Sequence, residues 1–151
     1  MKGSAVRRAL ETSIVLAAFL LAVHPAAGQS GLEVPEIEEL EQVYNHLLIM
    51  PETLMYRIMD GDRGFVLYDI RNPAAFRSGH VAGAVNLPWE SGEFQRTRDF
   101  PRDRELLLIS RDGEDALRAL HLLVMAGFER VYSVEGGMEN WMYGDYLVSG
   151  P

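Results

Sequence analysis

Short, uninterrupted runs of apolar residues alternate with amphipathic segments along this chain of 151 residues, and that alternation constrains the fold more than any other feature. An unbroken apolar run predicts a strand buried on both faces, as in parallel sheets that helices cover from either side. We therefore expect an α/β fold with a mainly parallel central sheet of about five strands and helices on both faces. The strand candidates are residues 48–50, 65–70, 84–87, 106–109 and 131–134.

Apolar residues recur at helical spacing between these runs. In residues 35–47 the apolar side chains lie at 37, 40, 43 or 44, and 47, and acidic residues fill the first turn, which predicts an amphipathic helix. Proline opens two further predicted helices, and glycine ends a fourth, as these residues commonly do. The further helices are residues 51–59, residues 72–77, a segment from Gly113 to Gly127, and a last one that contains Trp141.

Residues 1–28 have the composition of a secretory signal peptide. Basic residues precede an apolar run at 14–23, and the small residues 26–28 follow it. Because the apolar run is about half of the roughly 20 residues that span a bilayer, we expect cleavage near Gly28/Gln29, with an uncleaved anchor as the alternative. Export, with the periplasm as the first destination considered, follows from that expectation.

The rest of the chain predicts one folded domain. Residues 29–34 are expected to be a linker, and residues 35–151 are enough for a single domain with its own core. Within it we expect the N-terminal helix at 35–47 and a core at 48–146.

Charge and cysteine content exclude several functional classes. The chain has no cysteine, which excludes thiol catalysis, thiolate metal sites and disulfides. Its net charge of −8 disfavours nucleic acid and anionic lipid as partners. We expect no cofactor and no metal, no nucleic-acid binding, no membrane contact after signal cleavage, and a monomer. An unidentified protein or small ligand is the expected partner.

Two stretches of the sequence resemble the two signatures of the rhodanese-like domain family. The first runs through Asp69-Ile70-Arg71 and Phe76 to residues 79–88, Gly-His-Val-Ala-Gly-Ala-Val-Asn-Leu-Pro. The second comprises Leu123, residues 126–128, Val131, residues 135–137 and Trp141. Together they frame residues 48–146, and the resemblance implies the fold of a single-domain sulfurtransferase.

The resemblance also identifies an active-site loop. In this family a Cys-x-x-Gly-x-Arg loop between a strand and a helix carries the cysteine that accepts sulfur as a persulfide. The corresponding residues here are Ser110-Arg111-Asp112-Gly113-Glu114-Asp115, of which only Gly113 agrees. Serine replaces the catalytic cysteine, so we expect no catalytic residue in this loop.

Other family positions have physical roles that the residues themselves suggest. Asp69 ends a buried strand two residues before Arg71, a spacing that lets the pair tie down the next loop. His80, which lies between Gly79 and Gly83, is expected to stabilise that loop by a hydrogen bond. Gly136 and Gly137 lie at a junction where a Cβ would clash or where φ is positive.

The direction of the loop carboxylates is open at this level. A carboxylate about 5 Å from a bound anion would repel it by roughly 3 kcal/mol at an effective dielectric constant near 20. Pointing outward, Asp112, Glu114 and Asp115 would instead be ordinary acidic residues at a helix N-terminus.

These observations predict an exported rhodanese-like protein without sulfurtransferase activity that acts as a binding or regulatory module. The alternatives are a Ser-dependent hydrolase, a cation-assisted activity at the acidic loop, or a residual role in sulfur metabolism.

Overall fold

The computed structural model describes residues 35–89, 100–144, 146 and 148–150. The predicted signal peptide at 1–28, the predicted linker at 29–34 and residues 90–99 lie outside this part of the chain. The elements in chain order are α1 (Ile37–Tyr44) with a 3-10 turn (Asn45–Leu47), β1 (Leu48–Ile49), α2 (Pro51–Met59), β2 (Phe65–Asp69), α3 (Pro73–Ser78), β3 (His80–Val81), β4 (Val85–Asn86), β5 (Glu105–Ile109), α4 (Glu114–Met125), β6 (Val131–Val134), α5 (Gly137–Tyr143) and β7 (Val148–Ser149).

A five-stranded sheet forms the centre, with strand order β1-β6-β5-β2-β4 and parallel pairing throughout. This confirms the predicted α/β fold with a parallel sheet. Asp69 at the end of β2 lies opposite Ile109 at the end of β5. Because both strands end at the same edge, the loop after Asp69 and the loop that begins at Ser110 leave the sheet side by side.

Each face of the sheet packs against its own helices. Leu106 and Leu108 of β5 belong to the apolar cluster that contains buried residues of α1 and α4. Leu107 and Ile109 alternate with them and join the cluster of α2 and α5. All four β5 leucine and isoleucine side chains are buried, which explains why this strand is an unbroken apolar run.

Local sequence signals set several helix ends. Pro51 occupies the first turn of α2, where a missing N–H costs nothing. The Asn72 side chain accepts a hydrogen bond at 2.8 Å from the Ala75 N–H and so caps α3. The prolines were predicted to open these helices. The predicted range 72–77 placed Asn72 inside the helix, whereas the structure makes it the N-cap of Pro73–Ser78.

The structure also contains a feature that hydrophobic patterning did not predict. Strands β3 and β7 pair antiparallel, with His80 opposite Ser149 and Val81 opposite Val148. Two-residue strands are too short to show a periodicity, and their partners lie far apart in sequence.

Within the described residues, no helix has the length and apolar content to cross a membrane.

Candidate functional site

The candidate site is the short loop that joins the buried end of β5 to the start of α4. Ser110 follows β5 directly, and α4 begins at Glu114. The Ser110 side chain is buried, and its Oγ accepts a hydrogen bond at 3.0 Å from the Gly113 backbone N–H. This loop conformation requires φ +97° at position 113. Glycine adopts this value readily, whereas residues with a Cβ rarely do.

The first turn of α5 donates backbone hydrogen bonds to this loop. The Met138 N–H donates to the Ser110 carbonyl and the Glu139 N–H to the Arg111 carbonyl, both at 2.9 Å. A Cβ built on Gly137 would lie 2.6 Å from the Ser110 carbonyl oxygen. The backbone of α5 therefore approaches the loop too closely for any side chain at position 137.

The loop carboxylates are engaged with arginines. Asp112 forms an ion pair with Arg111 at 2.8 Å, and its other oxygen accepts from the Glu114 N–H at 3.2 Å. The hydrogen bond from the Arg111 guanidinium lowers the pKa of Asp112, which keeps this carboxylate charged near neutral pH. In the same loop Arg111 is largely exposed and also lies 3.7 Å from Glu139.

The other two carboxylates lie along the surface of α4. Arg118 pairs with Glu114 at 3.3 Å and with Asp115 at 3.2 Å, one turn along the helix. Both acidic side chains are about half exposed. Their position at the helix N-terminus is electrostatically favourable, and the arrangement is the outward one of the two that the sequence left open. Arg118 was not among the predicted site residues, although its i,i+3 and i,i+4 spacing to Asp115 and Glu114 indicates such ion pairs.

Asp69 and Arg71 hold the neighbouring loop. Asp69 is fully buried, and Arg71 Nη2 lies 2.6 Å from its Oδ2. Oδ1 accepts from the Arg71 backbone N–H at 3.0 Å, while Arg71 Nη2 also donates to the Gly79 carbonyl at 2.7 Å. This network ties α3 back to the end of β2.

Asn86 completes that network and was missed by the sequence analysis. Its Nδ2 donates to the Asp69 carbonyl at 3.0 Å and to the Arg71 carbonyl at 2.8 Å. A lone asparagine at the end of a short strand gives no pattern that would distinguish it from a surface residue.

Two histidines of the described residues, His80 and His121, contact groups other than Ser110. The His80 ring stacks on Phe76 with centroids 3.7 Å apart, and its Nδ1 is 2.9 Å from the Phe76 carbonyl oxygen. His121 Nδ1 is 2.8 Å from the Tyr44 hydroxyl in the interior. In the described part of the chain the Ser110 hydroxyl contacts the Gly113 amide rather than a histidine.

A metal centre is not formed by the described residues, because no group of three or more His, Asp or Glu side chains among them could hold an ion. The carboxylate oxygens of the acidic loop residues instead form ion pairs with Arg111 and Arg118. The site thus presents a buried hydroxyl that is hydrogen-bonded to a loop amide, surrounded by ion-paired acidic and basic side chains.

Comparison with known proteins matches this architecture. The model of the family described as the rhodanese-like domain matches residues 51–143. The thiosulfate sulfurtransferase GlpE of Pseudomonas syringae pv. syringae is 40% identical over 81 residues, which cover 53% of this chain and 74% of that protein. The GlpE of Pseudomonas putida is 42% identical over 79 residues, covering 52% of this chain and 70% of that protein.

A solved structure shows the same fold. The solution NMR structure of the rhodanese-like domain from the Anabaena sp. Alr3790 protein superposes with a TM-score of 0.62 at 25% sequence identity. The match covers 70% of this chain and 80% of the Anabaena domain. The family model, the sequence relatives and the solved structure therefore agree on the fold.

Proposed function

We propose that this chain, which belongs to the rhodanese-like domain family, is an exported protein that does not transfer sulfur and uses the family's loop as a binding or regulatory surface. The observation that carries the proposal is Ser110 at the position of the family's sulfur-accepting cysteine, in a chain that has no cysteine at all.

The missing sulfur atom removes the reaction itself. A sulfurtransferase thiolate attacks the outer sulfur of thiosulfate, forms a persulfide S–S bond and releases sulfite. A hydroxyl cannot form that bond, and it is hardly ionised near neutral pH without a base beside it. Because the Ser110 oxygen accepts from the Gly113 N–H, the loop amide that would help stabilise an anion there is already used.

Electrostatics at the loop also weaken the binding of an anionic donor. The family resemblance puts an arginine where this chain has Asp115, and the nearest guanidinium, Arg118, is paired with Asp115 and Glu114. Because Glu114 and Asp115 point outward, their main effect is to occupy the guanidinium of Arg118, as Asp112 occupies that of Arg111. The helix end by itself offers an anion only about 0.5–2 kcal/mol. We infer that thiosulfate binds poorly here because the guanidinium groups at the loop are already paired with carboxylates.

An altered enzyme activity is less well supported. A Ser-dependent hydrolase needs a base at hydrogen-bond distance from the hydroxyl, and the described contact of Ser110 is a backbone amide. A cation-assisted activity needs free oxygen ligands, whereas the loop carboxylates are bound to arginines.

Sulfur transfer from thiosulfate to cyanide tests the proposal. The full chain should give no thiocyanate above the uncatalysed rate, while the Pseudomonas syringae relative, assayed in parallel, serves as the positive control. Circular dichroism of the same sample shows that it is folded. Thiocyanate formation that increases in proportion to the protein concentration would refute the proposal.

Export is tested separately. Expressed as residues 1–151 in a Gram-negative host, the protein should be recovered from the periplasmic fraction with Gln29 as its first residue. Full-length protein in the cytoplasmic fraction alone would contradict the export part of the proposal and leave the transferase part unaffected.

A further inference from the structure

Three arginines converge on a cavity at the edge of the sheet opposite to the candidate site. Arg102 and Arg104 lie just before β5, and Arg130 lies just before β6, so parallel pairing brings them to the same edge. The cavity that they line has a volume of about 260 Å³. This volume is slightly below the roughly 300 Å³ at which known small-molecule sites begin, so a ligand of this cavity has to be small.

The positive charge in this cavity is only partly neutralised. Arg130 pairs with Glu105 at 3.3 Å, but Glu105 is shared with Arg57 at 2.7 Å. Arg102 and Arg104 form no ion pair with a carboxylate in the described residues, and they donate to backbone carbonyls instead. A carbonyl satisfies an N–H group without cancelling its charge.

The guanidinium groups are held in place with donors to spare. Arg102 lies over the ring of Phe128 at 4.1 Å from the centroid, and Phe128 itself is buried. Arg102 also donates to the Gly127 carbonyl at 3.3 Å, and Arg104 donates to the Arg63 carbonyl at 2.8 Å. These contacts use only part of the donor set of each guanidinium.

From this arrangement we infer that the cavity is a binding site for a small, multiply charged oxyanion of the phosphate or sulfate class. Planar guanidinium groups match the oxygens of such an anion in pairs, which favours it over a monovalent halide. The exposed carboxylate of Glu129 also lines the cavity and opposes binding, but Arg102 and Arg104 outnumber it. The inference does not depend on the proposed function, because the site lies away from Ser110.

Titration of the full chain, followed by amide NMR, tests this site. Inorganic phosphate and sulfate, each at constant ionic strength set with sodium chloride, should shift the amides of residues 127–130 in a saturable way. Phenyl phosphate as a third ligand distinguishes a free ion from a phosphate ester, and saturation by either one supports the site. Shifts confined to residues 110–115, or shifts that do not saturate, would overturn the inference.

Charge-removing variants make the test specific. R102Q should raise the Kd of the anion at least about tenfold, and R130Q should do the same. R77Q removes an equal charge from an exposed arginine on α3 and should leave the Kd within about twofold. Because Arg102 is exposed and forms no ion pair in the described residues, whereas Arg130 is paired with Glu105, R102Q keeps the test valid if R130Q fails to fold. Equal losses in R102Q and R77Q would mean nonspecific attraction and would refute the site.

Discussion

The Oγ atom of Ser110 accepts a hydrogen bond from the backbone N–H of Gly113 at 3.0 Å, so the residue that replaces a nucleophile closes the loop on itself. The Ser110 side chain thus satisfies a backbone N–H group within its own loop. The consequence is that restoring sulfur at this position changes both the chemistry and the hydrogen bonding of the loop.

We expect Ser110→Cys alone to give thiosulfate–cyanide transfer at least about tenfold slower than the Pseudomonas relative, because no cation occupies position 115. Adding Asp115→Arg should raise the rate at least about tenfold by supplying a donor to the anion. The matched control adds Asp60→Arg, an equal charge change at the exposed end of α2. If the single Ser110→Cys variant equalled the relative, the acidic loop would be irrelevant to activity.

Gly137→Ala should destabilise the fold more than Gly127→Ala, by at least about 1 kcal/mol in urea denaturation. Both glycines have positive φ, +57° and +82°, so the conformational cost is similar. Only at Gly137 would the new Cβ meet backbone atoms, including the Ser110 carbonyl at 2.6 Å, whereas nothing lies within 4 Å of a Cβ at Gly127. Equal losses would show that α5 can move away from the loop at no cost.

Asp69→Asn should lower the free energy of unfolding by about 3 kcal/mol, since it leaves Arg71 buried without its counter-charge. The pair is well shielded: the Asp69 side chain is 0% exposed and that of Arg71 is 13% exposed. Asp115→Asn, which breaks an exposed pair with Arg118, is the control and should have little effect. Thermal or chemical denaturation of the two variants side by side measures the difference.

Mild acid should weaken the fold through His121. Burial lowers the pKa of His121 below its usual 6.5, so the unfolded chain takes up this proton at a higher pH than the folded chain does. The stabilisation is therefore fully present above about pH 6.5 and declines as the pH falls towards the folded-state pKa.

Urea midpoints at pH 7.5 and pH 5.5 test this dependence. The native chain should lose more stability between the two values than His121→Gln does. His46→Gln, an exposed histidine replaced in the same way, should behave like the native chain. A pH dependence unchanged in His121→Gln would assign the acid sensitivity to other groups.

Much of the fold could be predicted because its signals are local. The run at 106–109 is apolar at every position, and β5 is buried on both faces. Pro73 opens α3, as its position in the sequence predicted. The β3–β7 pair could not be foreseen, since each strand has only two residues and the paired residues 80 and 149 lie far apart in the sequence.

The candidate-site residues likewise divide into those with a local sequence signal and those without one. The link between Asp69 and Arg71 spans two positions and was readable from spacing. By contrast, Asn86 reaches Asp69 across 17 positions, and no local pattern marks it.

The amino-acid sequence by itself determined that no thiol is present and that strand and helix alternate, because residue identity and hydrophobic period are properties of the chain alone. Only the tertiary structure decided that the loop acids pair with Arg111 and Arg118, that α5 excludes a side chain at Gly137, and that Arg102 and Arg130 share one cavity. Those outcomes depend on which backbones approach each other, and that is set by the packing of helices on the sheet.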